Sequence, residues 1–223
     1  MDNKKYILWD LDGTIVESED SIFKLNMFTY ASNKIGLNFN LKKEQYIGHE
    51  AKNIFKLLLD YNEVHDKNYY WNLYNNWYED AVKYILNNVE EVRPRENVIS
   101  LWNLLSKYNI IHSIVTSSRK DVAEAYLKNI GLFSSCKEII CIDDVSEPKP
   151  SPIPYITAMQ KLKIVSQDCI AIEDSFTGVN SAKDAGIFTI AWVKNSSDFV
   201  NSKADLIVEK INIEIILEAL DYK

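Results

Sequence analysis

Residues 6–14 read YILWDLDGT, an apolar run that meets two acids, a glycine and a threonine without transition. A short apolar segment bounded by turn residues reads as a buried strand, here from Lys5 to Trp9. On an extended chain the carboxylates of Asp10 and Asp12, two residues apart, point to one side. Like charges held that close raise each other's pKa unless a cation sits between them. Magnesium, a hard ion that prefers oxygen ligands, suits the place. Gly13 permits a sharp turn directly afterwards. The same residues also suit a plain turn followed by a helix cap, since Asp-Gly pairs are common in turns.

Outward from this stretch the texture changes. Between about Ser18 and Asn88 apolar residues recur at helical spacing, and Gly36 and Gly48 divide the region into helices near 18–35, 41–47, 50–61 and 67–88. After Pro94 apolar runs return at Ile110–Val115, Glu138–Ile142, Cys169–Ile172, Thr189–Val193 and Asp205–Val208. Helical segments near 96–108, 119–130, 152–163, 177–185 and 212–220 separate them. Strand–helix–strand repetition predicts an α/β core, a doubly wound parallel sheet, with an all-helical insertion. The expected domains are a core of 1–16 and 94–223 and a helical domain of 17–93.

In such sheets ligands bind beyond the carboxyl ends of the strands. Four chain-separated strand ends carry complementary chemistry. The first is the Asp10–Asp12 pair. The second is Thr116-Ser117-Ser118, a hydroxyl followed by amides at a helix start, which suits a phosphate. Ser118 and Asp121 also have the spacing of a capping box. The third is Lys149, held between Pro148 and Pro150. Its backbone freedom is restricted, so it offers a fixed positive charge, although prolines also simply start helices. The fourth is Glu173-Asp174, which would complete an oxygen cage for a metal or merely favour a helix dipole. The joint pattern decides for chemistry over four separate caps.

The whole chain agrees. Its 223 residues are 47% apolar and 26% charged, the composition of an ordinary globular protein. A net charge of -7 argues against nucleic-acid or anionic-membrane partners. Cys136, Cys141 and Cys169 form no C-x-x-C pair and read as buried, reduced thiols. No segment approaches the ~20 apolar residues of a membrane span or reads as a secretory signal, so the expected place is the cytoplasm.

With these residues in hand, the chain resembles the haloacid dehalogenase superfamily of aspartyl phosphotransferases. The likeness is to the subgroup with a helical cap, which includes phosphoglycolate phosphatase-like enzymes and β-phosphoglucomutase. The D-x-D-G-T motif falls on Asp10 to Thr14, the hydroxyl motif on Thr116, the lysine on Lys149 and the acids on Glu173-Asp174. Gly178, Ala182, Ala185 and Gly186 fit the run that follows the acids. The resemblance implies a phosphatase that uses Mg2+ and an aspartyl-phosphate. Asp10 is the implied nucleophile, Asp12 the acid and base. Asp10, Asp174 and the Asp12 carbonyl are the implied metal ligands, with Glu173 either a further ligand or a group that holds one in place. Thr116, Ser117 and Lys149 would hold phosphoryl oxygens. Three positions depart from the family pattern: Glu17 for aspartate, Asn97 for glycine and Ile153 for aspartate.

Asp12 argues against a true dehalogenase, which lacks the second acid. Ile22 stands where mutases of the subgroup carry a cap histidine. A mutase, or a silent binding protein on the same fold, remains the alternative to a phosphatase. The expected substrate is a small phosphorylated metabolite under a closing cap, with His49 near its specificity loop and the protein a monomer or weak dimer. The aromatic series Tyr70, Trp71, Tyr74, Trp77, Tyr78 and Tyr84 lies at helical spacing and is expected to pack mainly inside the cap.

Overall fold

The computed structural model describes residues 5–46, 51–64 and 67–221, with no account of the side chains of 67–71. His49 lies outside the described residues. Six strands form one parallel sheet: β1 (Tyr6–Trp9), β2 (Ile111–Val115), β3 (Cys136–Ile140), β4 (Cys169–Glu173), β5 (Phe188–Trp192) and β6 (Leu206–Val208). Their order is β3-β2-β1-β4-β5-β6, so the sequence winds outward in both directions from β1. Helices α4 (Val98–Lys107), α5 (Lys120–Asn129), α6 (Ile153–Leu162), α7 (Phe176–Asp184) and α8 (Ile213–Asp221) connect or follow these strands. The core is a doubly wound α/β sheet.

The central strands are buried on both faces. Ile7, Leu8, Trp9, Ile170, Ala171 and Ile172 are fully enclosed, as continuous apolar runs require. Trp9 pairs with Ile114 on one side and Ile172 on the other. Asp10, one residue on, therefore leaves the sheet at its centre.

The chain divides into two compact units, Met1–Glu17 with Pro94–Lys223, and Ser18–Arg93. The second is all-helical, with α1 (Ser21–Lys34), α2 (Ala51–Tyr61) and α3 (Lys67–Asn87). The carboxylate of Asp20 starts α1 by accepting the amides of Ile22 and Phe23 at 2.9 and 3.0 Å. Trp77 stacks on Phe28 at 5.2 Å and donates its indole N–H to Ser32 Oγ at 3.0 Å. Tyr74, Tyr78 and Tyr84 pack against the same cluster. Tyr70 and Trp71 have no described side chains. Among the described residues no helix is long and apolar enough to cross a membrane.

Two sequence expectations need correction. The expected helix at 41–47 is a single 3-10 turn, Lys43–Gln45, within the described residues. A segment this short cannot meet the cost of nucleating an α-helix. The expected strand Glu138–Ile142 runs instead from Cys136 to Ile140, and Ile142 starts a 3-10 turn. β3 is an edge strand, where Lys137 and Glu138 are tolerated and blur the apolar signal.

One buried titratable group sits away from the strand ends. His112 in β2 is 2% exposed and stacks on Trp102 at 4.1 Å. It accepts the Trp9 indole N–H at Nδ1, 3.1 Å away, so its proton sits on Nε2. Burial depresses its pKa to about 4, against an ordinary value near 6.5. The unfolded chain therefore binds a proton here that the folded chain refuses. This contribution is complete above about pH 6.5 and is lost as pH falls towards 4, roughly 3 kcal/mol in all. Melting curves between pH 7 and 4 are expected to show that slope. His112→Asn, which keeps an acceptor for Trp9, is expected to flatten it.

Candidate active site

The site grows from the ends of β1, β2 and β4 and the loop before α6. Lys149 is its hub. Its side chain is 4% exposed, and its ammonium donates to Asp10 Oδ1 at 2.7 Å, Glu173 Oε1 at 2.6 Å and the Val115 carbonyl at 2.7 Å. An ammonium has three protons, and here three acceptors take them. The Lys149-Pro150 peptide is cis.

Electrostatics follow from burial. Burial pushes the Asp10 carboxyl well above the usual carboxylate range, Lys149 opposes it, and Glu173, Asp174 and Asp12 push it further up. Burial would lower the Lys149 ammonium, but Asp10 and Glu173 together hold it above its ordinary value. Tyr155 donates its hydroxyl to Glu173 Oε1 at 2.7 Å and is itself raised well above the ordinary phenol value, first by burial and then by Glu173.

Ligand oxygens of Asp10, Glu173 and Asp174 lie within 4.8 Å of one another. The set is oxygen-only, and the buried Glu173 Oε2 has no hydrogen-bond partner. This donor set fits a hard divalent cation. The Asp12 carboxylate is not in the cluster. It turns to the hydroxyls of Thr116 and Ser118, which donate to its Oδ2 at 3.2 and 2.6 Å.

Two glycines make room for these acids. A Cβ at Gly13, where φ is +82°, would overlap the Asp174 carboxylate, and one at Gly178 would overlap that of Glu173. The glycine of D-x-D-G-T therefore serves close approach as well as the turn. Arg95 braces the same loop. Its guanidinium lies 3.8 Å over the Trp192 ring and donates to the carbonyls of Gly13 at 3.0 Å and Trp192 at 2.7 Å. Asn97 has the left-handed backbone, φ +64°, that a glycine would take most easily. Asparagine is among the residues that tolerate it.

The geometry brings together Asp10, Asp12, Thr116, Lys149, Glu173 and Asp174. Ser117 is exposed just past Thr116. Glu173 is the last residue of β4 rather than beyond it. The capping box expected of Ser118 and Asp121 does not form. Arg119 is the N-cap of α5 and has no side-chain capping bond, while Asp121 pairs with Arg119 at 2.8 Å. Ser118, Arg95 and Tyr155 are site residues that the sequence reading missed. Ser118 lies in the Thr116-Ser117-Ser118 stretch and Arg95 in the linker that holds Asn97, whereas Tyr155 lies in no such motif.

The sequence matches the model of the haloacid dehalogenase-like hydrolase family over residues 7–192. The chain belongs to that family. Among relatives of this haloacid dehalogenase-like chain is the pyrophosphatase PpaX of Halalkalibacterium halodurans, 26% identical over 196 residues, covering 87% of this chain and 86% of that protein. A predicted phosphoglycolate phosphatase from Haemophilus somnus superposes with a TM-score of 0.80 at 19% identity, over 97% of this chain and 99% of its own. CbbY of Rhodobacter sphaeroides, solved with xylulose-1,5-bisphosphate, gives 0.75 at 21% identity, over 93% and 94%. At these identities the two structures speak for the fold alone.

Proposed function

We propose that this chain is a magnesium-dependent phosphatase of a small phosphorylated metabolite, working through an aspartyl-phosphate on Asp10. It is a phosphoric-ester hydrolase, the activity carried in the names of its phosphatase relatives. The observation that carries the finer reading is the Lys149 bridge, which fixes Asp10 Oδ1 beside Glu173 at the centre of the sheet.

Asp10, Glu173 and Asp174, with the Asp12 backbone carbonyl, would hold the magnesium. When bound, the ion neutralises charge on the carboxylates and on the phosphoryl group. Lys149 aims the Asp10 carboxylate and offers positive charge to a phosphoryl oxygen. Thr116 and the Ser117 amide would hold the remaining oxygens, the placement that dominates catalysis of phosphoryl transfer. Asp10 attacks phosphorus. Asp12 gives a proton to the leaving oxygen and then takes one from the hydrolytic water. Ile22 offers no acid or base, which favours transfer to water over transfer within a sugar phosphate. The cytoplasm is the proposed location, monomer or weak dimer the proposed state, and His49 a proposed substrate contact. Neither nucleic acid nor membrane is a proposed partner.

The decisive experiment is hydrolysis of p-nitrophenyl phosphate before and after chelation. Activity is expected to fall at least 100-fold in excess EDTA, of the order of several kcal/mol of charge stabilisation, and to return with Mg2+. Undiminished turnover in chelator would exclude the metal-dependent reading.

A further inference from the structure

Ser118 belongs to none of the roles assigned so far. Its hydroxyl donates to Asp12 Oδ2 at 2.6 Å, and its own amide donates to Thr116 Oγ1 at 3.0 Å. Thr116 Oγ1 in turn donates to Asp12 Oδ2 at 3.2 Å. The three residues close a small ring in which two hydroxyls converge on one carboxylate oxygen. The contact from Ser118 is the shorter of the two. In the proposed reaction Thr116 must turn its hydroxyl to a phosphoryl oxygen, which leaves Ser118 as the holder of Asp12 Oδ2.

We infer that Ser118 is a positioning residue for Asp12: by occupying Oδ2 it aims Oδ1 at the leaving oxygen of the substrate. The inference rests on the phosphatase reading above and deepens it. In the first step a bond forms between an Asp10 oxygen and phosphorus. The bond from phosphorus to the leaving oxygen breaks, its electron pair goes to that oxygen, and the oxygen takes the proton from Asp12 Oδ1. Asp12 emerges as a carboxylate. In the second step water attacks phosphorus and yields its proton to Asp12 Oδ1. The bond from phosphorus to Asp10 breaks, with its electron pair returning to the Asp10 carboxylate. Oδ2 accepts the Ser118 hydroxyl in both protonation states of Asp12, so the aim holds through the whole cycle.

A general acid matters most when the leaving oxygen is strongly basic. An alkyl phosphate needs the proton, whereas p-nitrophenolate departs almost without it. The ratio kcat/KM reports phosphoenzyme formation, the step in which that oxygen leaves. Ser118→Ala is therefore expected to lower kcat/KM for glycerol 2-phosphate about tenfold, a fraction of the usual general-acid contribution, and that for p-nitrophenyl phosphate less than about twofold. A loosened fold or weakened metal binding lowers both equally, so the split is the diagnostic readout. Ser118→Thr, which keeps the hydroxyl, is expected to restore the alkyl substrate. Ser118→Cys, nearly isosteric and a weak donor, repeats the test if the alanine variant melts early. Equal losses on both substrates in these variants would overturn the role of Ser118. The unmodified enzyme provides the separate control. If it shows no magnesium-dependent turnover of either ester, the phosphatase reading fails and takes the inference with it.

Discussion

Replacing Asp10 by asparagine is expected to lower turnover at least ~1,000-fold, equivalent to about 4 kcal/mol of transition-state stabilisation, while leaving the protein folded. The amide is nearly the size of the carboxylate but is a far weaker nucleophile towards phosphorus. The structure adds an expectation about stability with the opposite sign. Burial works against the charge on Asp10, and Glu173, Asp174 and Asp12 add repulsion. Only Lys149 opposes them. Without metal, the asparagine variant sheds that repulsion while Lys149 keeps Glu173 and the Val115 carbonyl. Its melting temperature in EDTA is expected to equal or exceed that of the unmodified protein. The gain in melting temperature on adding Mg2+ is expected to shrink, because one ligand is weaker. Acid-quenched reactions should carry covalent phosphate in the unmodified enzyme and none in the variant. Wild-type turnover by Asp10→Asn would remove Asp10 from the reaction. The destabilised site thus reads as a cost the fold bears for chemistry.

The sheet was legible because its central strands are buried on both faces and write continuous apolar runs. Ile7 to Trp9 and Ile170 to Ile172 are such runs, and the polar residues at their ends marked the site. Legibility fell off at the edge. In β3, Lys137 and Glu138 face less crowded surroundings, and the expected strand slid by two residues. The residues missed at the site share one property: their role depends on contacts distant in sequence. Arg95 meets Gly13 across 82 positions and Trp192 across 97. Ser118 reaches Asp12 across 106. Local reading assigned Ser118 to a cap because that is what a serine three residues before an aspartate does nearby. Asn97 shows the converse: it departs from the glycine of the family pattern, yet its backbone has the left-handed form that a glycine takes most easily.

Lys149→Met is expected to be the most damaging single change to stability, about 3–5 kcal/mol near neutral pH, together with loss of most activity. Methionine matches the length of the lysine stem and leaves little void. What it removes is the charge. Asp10 and Glu173 then remain in the interior without their shared cation, and the Val115 carbonyl loses its donor. Tyr155 still donates to Glu173 Oε1, so that carboxylate is not stripped bare. Lys149→Arg is expected to fail as well, because a planar fork cannot place three donors where a tetrahedral ammonium places them. The pH dependence identifies the cause. Asp10 already has its carboxyl raised by burial, and Lys149 is the strongest opposing influence. Removing the lysine raises it further, so the folded variant binds a proton that the unfolded chain releases at lower pH. Stability of the variant is therefore expected to fall as pH rises from the ordinary carboxylate range to neutrality, and its deficit against the unmodified protein to narrow in acid. Urea denaturation at pH 5 and pH 8 reads the difference. A deficit constant with pH would mean that methionine fails by packing, and that the bridge between Asp10 and Glu173 is not what holds the site together.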